Sequence, residues 1–413
     1  MSWACPTPLL TASIYHCHRF KHMFVGVKQM LNVAIKVGIG VSAVDACFLK
    51  HTQYGSGQLH IVSTKDGDNR LLPIAWCVCD TESGDSYQYF AEKCIEFGLA
   101  QYLNRDGSVI YSDRGKGVPT FCRAFPKAAA LNCFFHLLKN VRKHCRENRA
   151  SGTWADSAAW AMQRAETRSE YDAALDFLRQ HCEMAADYLD RLDHAKTFRY
   201  AISQTHSCMG VKTNNIVEQV NGVWVNLRTE APYRLNNGLL KWLGEKLFER
   251  QVASSIWMES IPPRRLTHYC KNLWGVQVAF AKNVAYKLTA NGGDVFTVTG
   301  SRHTPGQPKV HKVNLNERTC CGDMFEMQQP CRHCVVVFNK YGQLDEDNID
   351  ETMAKFWPAW ARADTYRDAY RGLTIHIPAT YTGPFTGTSF FVLVFTTLFY
   401  NGLISTTQGM VAT

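Results

Sequence analysis

Two apolar runs that each stop at an aspartate constrain this chain more than any other pattern. Gly38-Ile-Gly-Val-Ser-Ala-Val44 leads into Asp45, and Ser108-Val-Ile-Tyr-Ser112 leads into Asp113. Apolar runs this short, bounded by turn residues, read as buried strands, here with an acid at the end of each. Leu59–Thr64 and Leu72–Cys79 read as two further strands joined by the turn Lys65-Asp-Gly-Asp-Asn69. Asp85–Phe97 spaces Tyr87, Phe90, Ala91, Cys94 and Phe97 for one helix face, and Ala128–Cys133 reads as a fifth strand. The order β-β-β-α-β-α-β predicts an α/β fold, three meandering strands followed by crossover units.

The remainder is organised differently. Residues 1–37 show a helical pattern around Phe24–Val37 and no catalytic content. From His136 to about Tyr200 the sequence is helical, a further helix is expected over Asn215–Arg228, and helices continue to about Lys287. Val295–Val298 and Val310–Leu315 read as a hairpin, and Cys331–Asn339 as a short helix. At 413 residues, 46% hydrophobic, the chain holds two or three domains with a substantial core. Net charge +9 is compatible with a phosphate-bearing partner. The sixteen cysteines are scattered rather than regularly spaced, and Met1–Leu10 has no basic n-region, so a reducing compartment, cytosol or nucleus, is expected. Phe390–Ile404 is apolar but shorter than the roughly 20 residues of a spanning helix, so a packed terminal element is expected rather than a membrane anchor.

Carboxylates at the ends of neighbouring strands converge on one point, where open α/β sheets place their sites. Such pairs suit hard, oxygen-loving cations such as Mg²⁺, and the matching chemistry is metal-dependent phosphoryl transfer. Glu218, in Thr213-Asn-Asn-Ile-Val-Glu-Gln-Val-Asn221, is the candidate third carboxylate; its spacing from Asn215 is also that of a capping box. A second constellation is Cys320-Cys321-Gly-Asp-Met-Phe-Glu-Met-Gln-Gln-Pro-Cys331-Arg-His333, soft donors at a spacing that suits tetrahedral Zn²⁺. Free cysteines buried in a small hairpin and helix are the alternative. Lys139, Arg142, Lys143 and Arg146 recur at helical spacing and would form a basic face, for nucleic acid or simply for solvent. Arg114 and Lys116 flank Asp113 and could touch phosphate, or serve as turn residues.

The blocks Val44-Asp-Ala-Cys-Phe-Leu-Lys50, Lys65-Asp-Gly67, Leu72-Pro-Ile-Ala75, Glu82, Tyr111-Ser-Asp-Arg-Gly-Lys-Gly117, Phe125-Pro126, Asn132-Cys-Phe-Phe-His-Leu-Leu-Lys-Asn140 and Asn214-Asn-Ile-Val-Glu-Gln-Val-Asn221 carry a resemblance. In this order they resemble the transposase domain of Mutator-like elements, and the cysteine cluster resembles the SWIM zinc finger that follows it in many such proteins. Tyr366-Arg-Asp-Ala-Tyr370 and Ile375-His-Ile-Pro378 resemble the segment after that finger. The resemblance implies a ribonuclease-H-like core with a helical insertion and a small ββα zinc finger. It implies a DNA transposase with Asp45, Asp113 and Glu218 holding Mg²⁺ or Mn²⁺, DNA as partner, a homo-oligomer as one possible assembly, and a nuclear location. The expected organisation is an N-terminal remnant (1–37), a transposase domain (38–250, insertion about 137–212), a helical linker (251–294), a finger (295–342) and a C-terminal segment with the apolar tail (343–413).

The family's Cys-x-x-His is matched by Cys133 and His136, a possible second zinc pair that His206 and Cys208 could complete. Two departures bear on activity. In the Cys-x-Cys…Cys-x-His pattern Cys321 is in register but Thr319 takes the first position, so Cys320 is one residue late, or Cys334 substitutes. Residues 1–37 are too short for a separate DNA-binding domain, which leaves a domesticated or degenerate, non-catalytic zinc-binding regulator of DNA or protein contacts as the alternative.

Overall fold

The computed structural model describes residues 10–14, 20–54, 57–115, 117–150, 156–283, 286–300, 310–320, 324, 327–340 and 356–375. Cys321, Lys116, the Ile375–Pro378 block beyond Ile375 and the apolar tail lie outside the described residues.

The acid-terminated runs form two neighbouring interior strands of a seven-stranded mixed sheet. Its strands are β1 (Leu10–Ile14), β2 (Phe20–Gly26), β3 (Gly38–Phe48), β4 (Gln58–Asp66), β5 (Leu71–Cys79), β6 (Val109–Ser112) and β7 (Ala129–Asn132), in the order β1-β2-β5-β4-β3-β6-β7. β3, β4 and β5 form the antiparallel meander, while β6 and β7 run parallel to β3. The crossover from β5 to β6 passes through α2 (Gly84–Glu96), whose N-terminus is tied by a capping box between Ser83 and Ser86, and α3 (Ala100–Leu103); α4 (Val118–Arg123) links β6 to β7. Near-continuous burial along β3, β4 and β5 explains their unbroken apolar character, since both sheet faces are covered.

Three expectations change at element ends. Phe24–Gly26 belongs to β2, which pairs with β5, and the helix α1 starts only at Lys28 and ends at Val37. Phe24 contacts the Phe90 and Phe97 rings from its place in β2, so its apolar character serves a strand rather than a helix. Strand β3 continues past Asp45 to Phe48, because Asp45 to Phe48 keep pairing with β4. The helix α10 covers Asn215–Val223 and gives way to a 3-10 turn at Leu227–Thr229.

After β7 the chain enters a helical segment running from α5 (Phe134–Glu147) through α6 (Asp156–Arg164), α7 (Arg168–His181) and α8 (Glu183–Asp190) to α9 (Arg199–Ile202), with its own apolar core around Phe134, Met162, Tyr171 and Phe198. The chain then returns to the sheet. Tyr111 OH donates to the Val211 carbonyl at 2.7 Å and the Phe134 N–H donates to the Lys212 carbonyl at 3.2 Å, seating α10 against the sheet. The long helix α11 (Pro232–Glu259) packs its leucines into the main core, and the boundary expected at residue 250 falls inside it.

A third core joins α12 (His268–Asn283) to a three-stranded antiparallel sheet of β8 (Tyr286–Ala290), β9 (Val295–Gly300) and β10 (Val310–Asn314), one strand more than the expected hairpin, and to the helix Arg332–Lys340. No helix among the described residues is long and apolar enough to cross a membrane.

Candidate active site and metal centre

Sheet register builds the acidic site. The last parallel pair of β3 and β6 is Val44 opposite Ser112, so the next residues, Asp45 and Asp113, emerge side by side. Asp113 Oδ1 accepts from the Gly115 N–H at 2.9 Å, which fixes the carboxylate in a tight loop. Glu218 comes from the first turn of α10, whose Ile216, Val217 and Val220 are buried against the sheet. Asn214, not Asn215, is the N-cap, and no side chain among the described residues caps the helix, so Glu218 is not held there as a capping-box partner.

Electrostatics tie these acids together. Burial pushes the Asp45 carboxyl from an ordinary 3.8 up to about 7, and the charges of Asp113, Glu218 and Glu82 push the same way. Only the hydrogen bond from the Ala46 backbone opposes them. His136 Nε2 lies 3.5 Å from Glu218 Oε1, so the histidine of the Cys-x-x-His pair faces the acidic site. Cys133 is buried beneath, its thiol pushed up by burial. Cys133, His136, His206 and Cys208 form no group of three close ligands among the described residues; Cys208 sits in the main core and His206 Nδ1 contacts Thr205 Oγ1 at 2.7 Å.

A fourth carboxylate reaches the site, and the sequence reading gave it no role. Glu82, just before α2, receives a hydrogen bond from Gln58 Nε2 at 3.2 Å. A Cβ added at Gly115 would lie 2.9 Å from Asp113 Oδ1 and 3.1 Å from Glu82 Oε1, so this glycine leaves the room both carboxylates occupy. Among the described residues the buried Tyr87 hydroxyl and Gln58 Oε1 have no hydrogen-bond partner; burial and then the charges of Asp45, Glu82 and Asp113 push the Tyr87 phenol up. The signal was present in the Glu82 block of the resemblance, but its convergence with Asp113 depends on where α2 begins. Arg228 was likewise read only as a helix end; it favours the Cys47 thiolate against the burial that pushes that thiol up, and Cys47 is two residues along β3 from Asp45 on the same face.

The basic residues divide. Arg142 pairs with Asp156, Lys143 Nζ is 3.8 Å from Glu147, and Lys139 Nζ stands 4.3 Å over the Phe135 ring. Arg114 lines a cleft against α8 together with His144, Glu183, Asp187 and Arg191, a wall of mixed charge.

With this geometry in view the comparison with known families is specific. Residues 41–140 match the family model of the MULE transposase domain. No curated protein matches the chain. The MULE match spans Asp45, Glu82, Asp113, Cys133 and His136, and ends at residue 140 inside α5, before the rest of the helical segment and Glu218.

The cysteine cluster supplies the tightest donor group. Among the described residues, the one set of three or more His, Cys, Asp or Glu whose ligand atoms all lie within 4.8 Å of one another is Cys320, Cys331 and His333. Cys320 Sγ and Cys331 Sγ are each 3.6 Å from His333 Nδ1. The late cysteine is therefore a member of the group. The His333 ring is stacked on His311 at 3.8 Å and meets Tyr286 edge-on, so its plane is held.

Proposed function

We propose that the chain is a DNA transposase of the Mutator-like class, cleaving and joining DNA strands with divalent metal held by Asp45, Asp113 and Glu218. The observation that carries the reading is the β3–β6 register, which brings Asp45 beside Asp113 inside the segment matching a MULE transposase domain. The strand order β5-β4-β3-β6-β7, an antiparallel meander flanked by two parallel strands, supports a ribonuclease-H-like core. The donor set fits Mg²⁺ or Mn²⁺: hard oxygens, half-buried, with Asp45 driven toward protonation by burial first and then by the neighbouring acids. When bound, such ions lower the pKa of the attacking hydroxyl and stabilise the leaving oxygen. The chain's own contribution is to converge the three carboxylates, with Glu82 braced by Gln58 beside them and His136 orienting Glu218. DNA is the partner, the nucleus the compartment, and the finger an accessory zinc module built on Cys320, Cys331 and His333.

Zinc also fits its donors. Bonds of about 2.3 Å to thiolate and about 2.0–2.1 Å to imidazole give tetrahedral sulfur–nitrogen edges of about 3.6 Å, and both such edges here are 3.6 Å.

Nicking of DNA carrying the element's ends, with Mg²⁺, tests the reading. Asp113→Asn should reduce cleavage about 100-fold or more, because a metal-stabilised charge contributes several kcal/mol. Equal cleavage by wild type and variant would sink it. One observation favours a second reading, a non-catalytic zinc-binding regulator: the carboxylates do not form a group as tight as the cysteine–histidine set. Zinc-loaded protein that binds DNA and never cleaves it would decide for that reading.

A further inference from the structure

A fourth sulfur lies beside the three close donors, outside the set whose ligand atoms are all within 4.8 Å of one another. Cys334 Sγ is 3.8 Å from Cys331 Sγ. Two thiolates on one tetrahedral zinc are about 3.8 Å apart, from a bond length of about 2.3 Å. Cys334 is 1% exposed, and the thiols of both Cys320 and Cys331 act on it. Its position follows from the helix. Residue 334 lies in the first turn of Arg332–Lys340, three residues after Cys331, and that spacing brings two side chains to one face. Cys320 and Cys321 are neighbours in the chain, and two short side chains on adjacent residues reach one ion only with backbone strain. With Cys320 in the donor group, Cys321 is the poorer fourth donor.

We propose that Cys334 is the fourth zinc ligand, completing a three-sulfur, one-nitrogen site with Cys320, Cys331 and His333. The proposal rests on the zinc reading above. It departs from the Cys-x-Cys…Cys-x-His order: one donor comes from before the loop and three from Cys331-Arg-His-Cys334. Cys334 Sγ also touches Met324 Sδ at 3.6 Å, so the methionine packs against the ligand and shields it from water. Binding Zn²⁺ releases one proton from each of the three thiols, and the imidazole binds in its neutral form.

The test uses the full chain loaded with Co²⁺ or Zn²⁺, read by metal content and by the thiolate-to-cobalt charge-transfer absorbance. Cys334→Ser should lower that absorbance by about a third and weaken metal affinity at least about tenfold. Cys321→Ser should change neither. Cys334→His should retain the metal with a two-thiolate spectrum, which separates loss of a ligand from loss of the fold. Loss of absorbance in Cys321→Ser with a wild-type spectrum for Cys334→Ser would overturn the assignment of Cys334. Wild-type protein whose metal content does not depend on Cys331 or His333 would instead overturn the zinc reading on which it rests.

Discussion

Asp45 is the residue on which the acidic site turns. Its carboxyl sits between burial and three other acids, which together raise it from 3.8 to about 7. A raised carboxyl pKa favours the protonated form in the fold, so its contribution to stability is full below about 3.8 and is lost as pH rises through about 7. The metal-free protein should therefore show a melting temperature that falls between these values, and Mg²⁺ should restore it at pH 8. Asp45→Asn should flatten the pH dependence and abolish the Mg²⁺ effect together. A variant that keeps the wild-type Mg²⁺ response would show that the ion binds elsewhere. Glu82 separates two roles: Glu82→Gln keeps the bond from Gln58 in reach but removes charge, and should reduce cleavage by less than Asp113→Asn does. Equal loss in the two variants would make Glu82 a full member of the carboxylate set.

Among elements, the β4–β5 turn does more than reverse the chain. Asp66 accepts from the amides of Asp68 and Arg70 through Oδ1, and from Tyr366 and Tyr370 hydroxyls at 2.9 and 2.7 Å through Oδ2. Arg250 Nε stands 3.6 Å from the same oxygen and Arg250 Nη1 donates to Tyr370 OH at 3.0 Å. The turn, α11 and the helix Ala363–Tyr370 are thus locked by one buried charge cluster. Thr267 Oγ1 adds a bond to the Gly67 carbonyl at 2.8 Å, and a Cβ at Gly67 would meet the Trp360 carbonyl at 1.8 Å. Breaking a buried pair by removing one partner costs about 3–5 kcal/mol. Asp66→Asn should lower stability by about that amount in urea unfolding while leaving zinc content unchanged; a loss below about 1 kcal/mol would contradict the lock. The Lys65-Asp-Gly67 block and the Tyr366–Tyr370 block therefore occur together for a packing reason. Helix α10 is held similarly, by Trp224 set edge-on against Trp76 at 5.8 Å and Trp242 at 5.7 Å.

At the scale of the molecule, three apolar cores correspond to the sheet, the helical segment after β7 and the module that carries Cys320, Cys331 and His333, where we propose zinc. Metal should be felt in only one of them. Removing zinc with a chelator is expected to speed amide exchange in Tyr286–Ala290, Val295–Gly300 and Arg332–Lys340, and to leave β3 to β6 protected. Uniform exchange across all three cores would mean that zinc stabilises the whole chain.

The sequence alone determined the five strands of the meander and crossovers and the helical character of the segment after them, because strand burial on both faces and turn chemistry are local signals. It misplaced Phe24–Gly26, because an apolar run flanking a helix looks the same whether or not a sheet edge is waiting to pair with it. It also ended β3 at Asp45, since an acid reads as a strand end until a partner strand continues beside it. Tertiary structure decided what converges. Sheet register sets Asp45 next to Asp113, the charges of Glu218 and Glu82 bear on Asp45 from distant elements, and His136 lies 3.5 Å from Glu218. Cys320 rather than its neighbour joins the described donor group. Those outcomes depend on distances between residues far apart in the chain, which spacing along the chain does not encode.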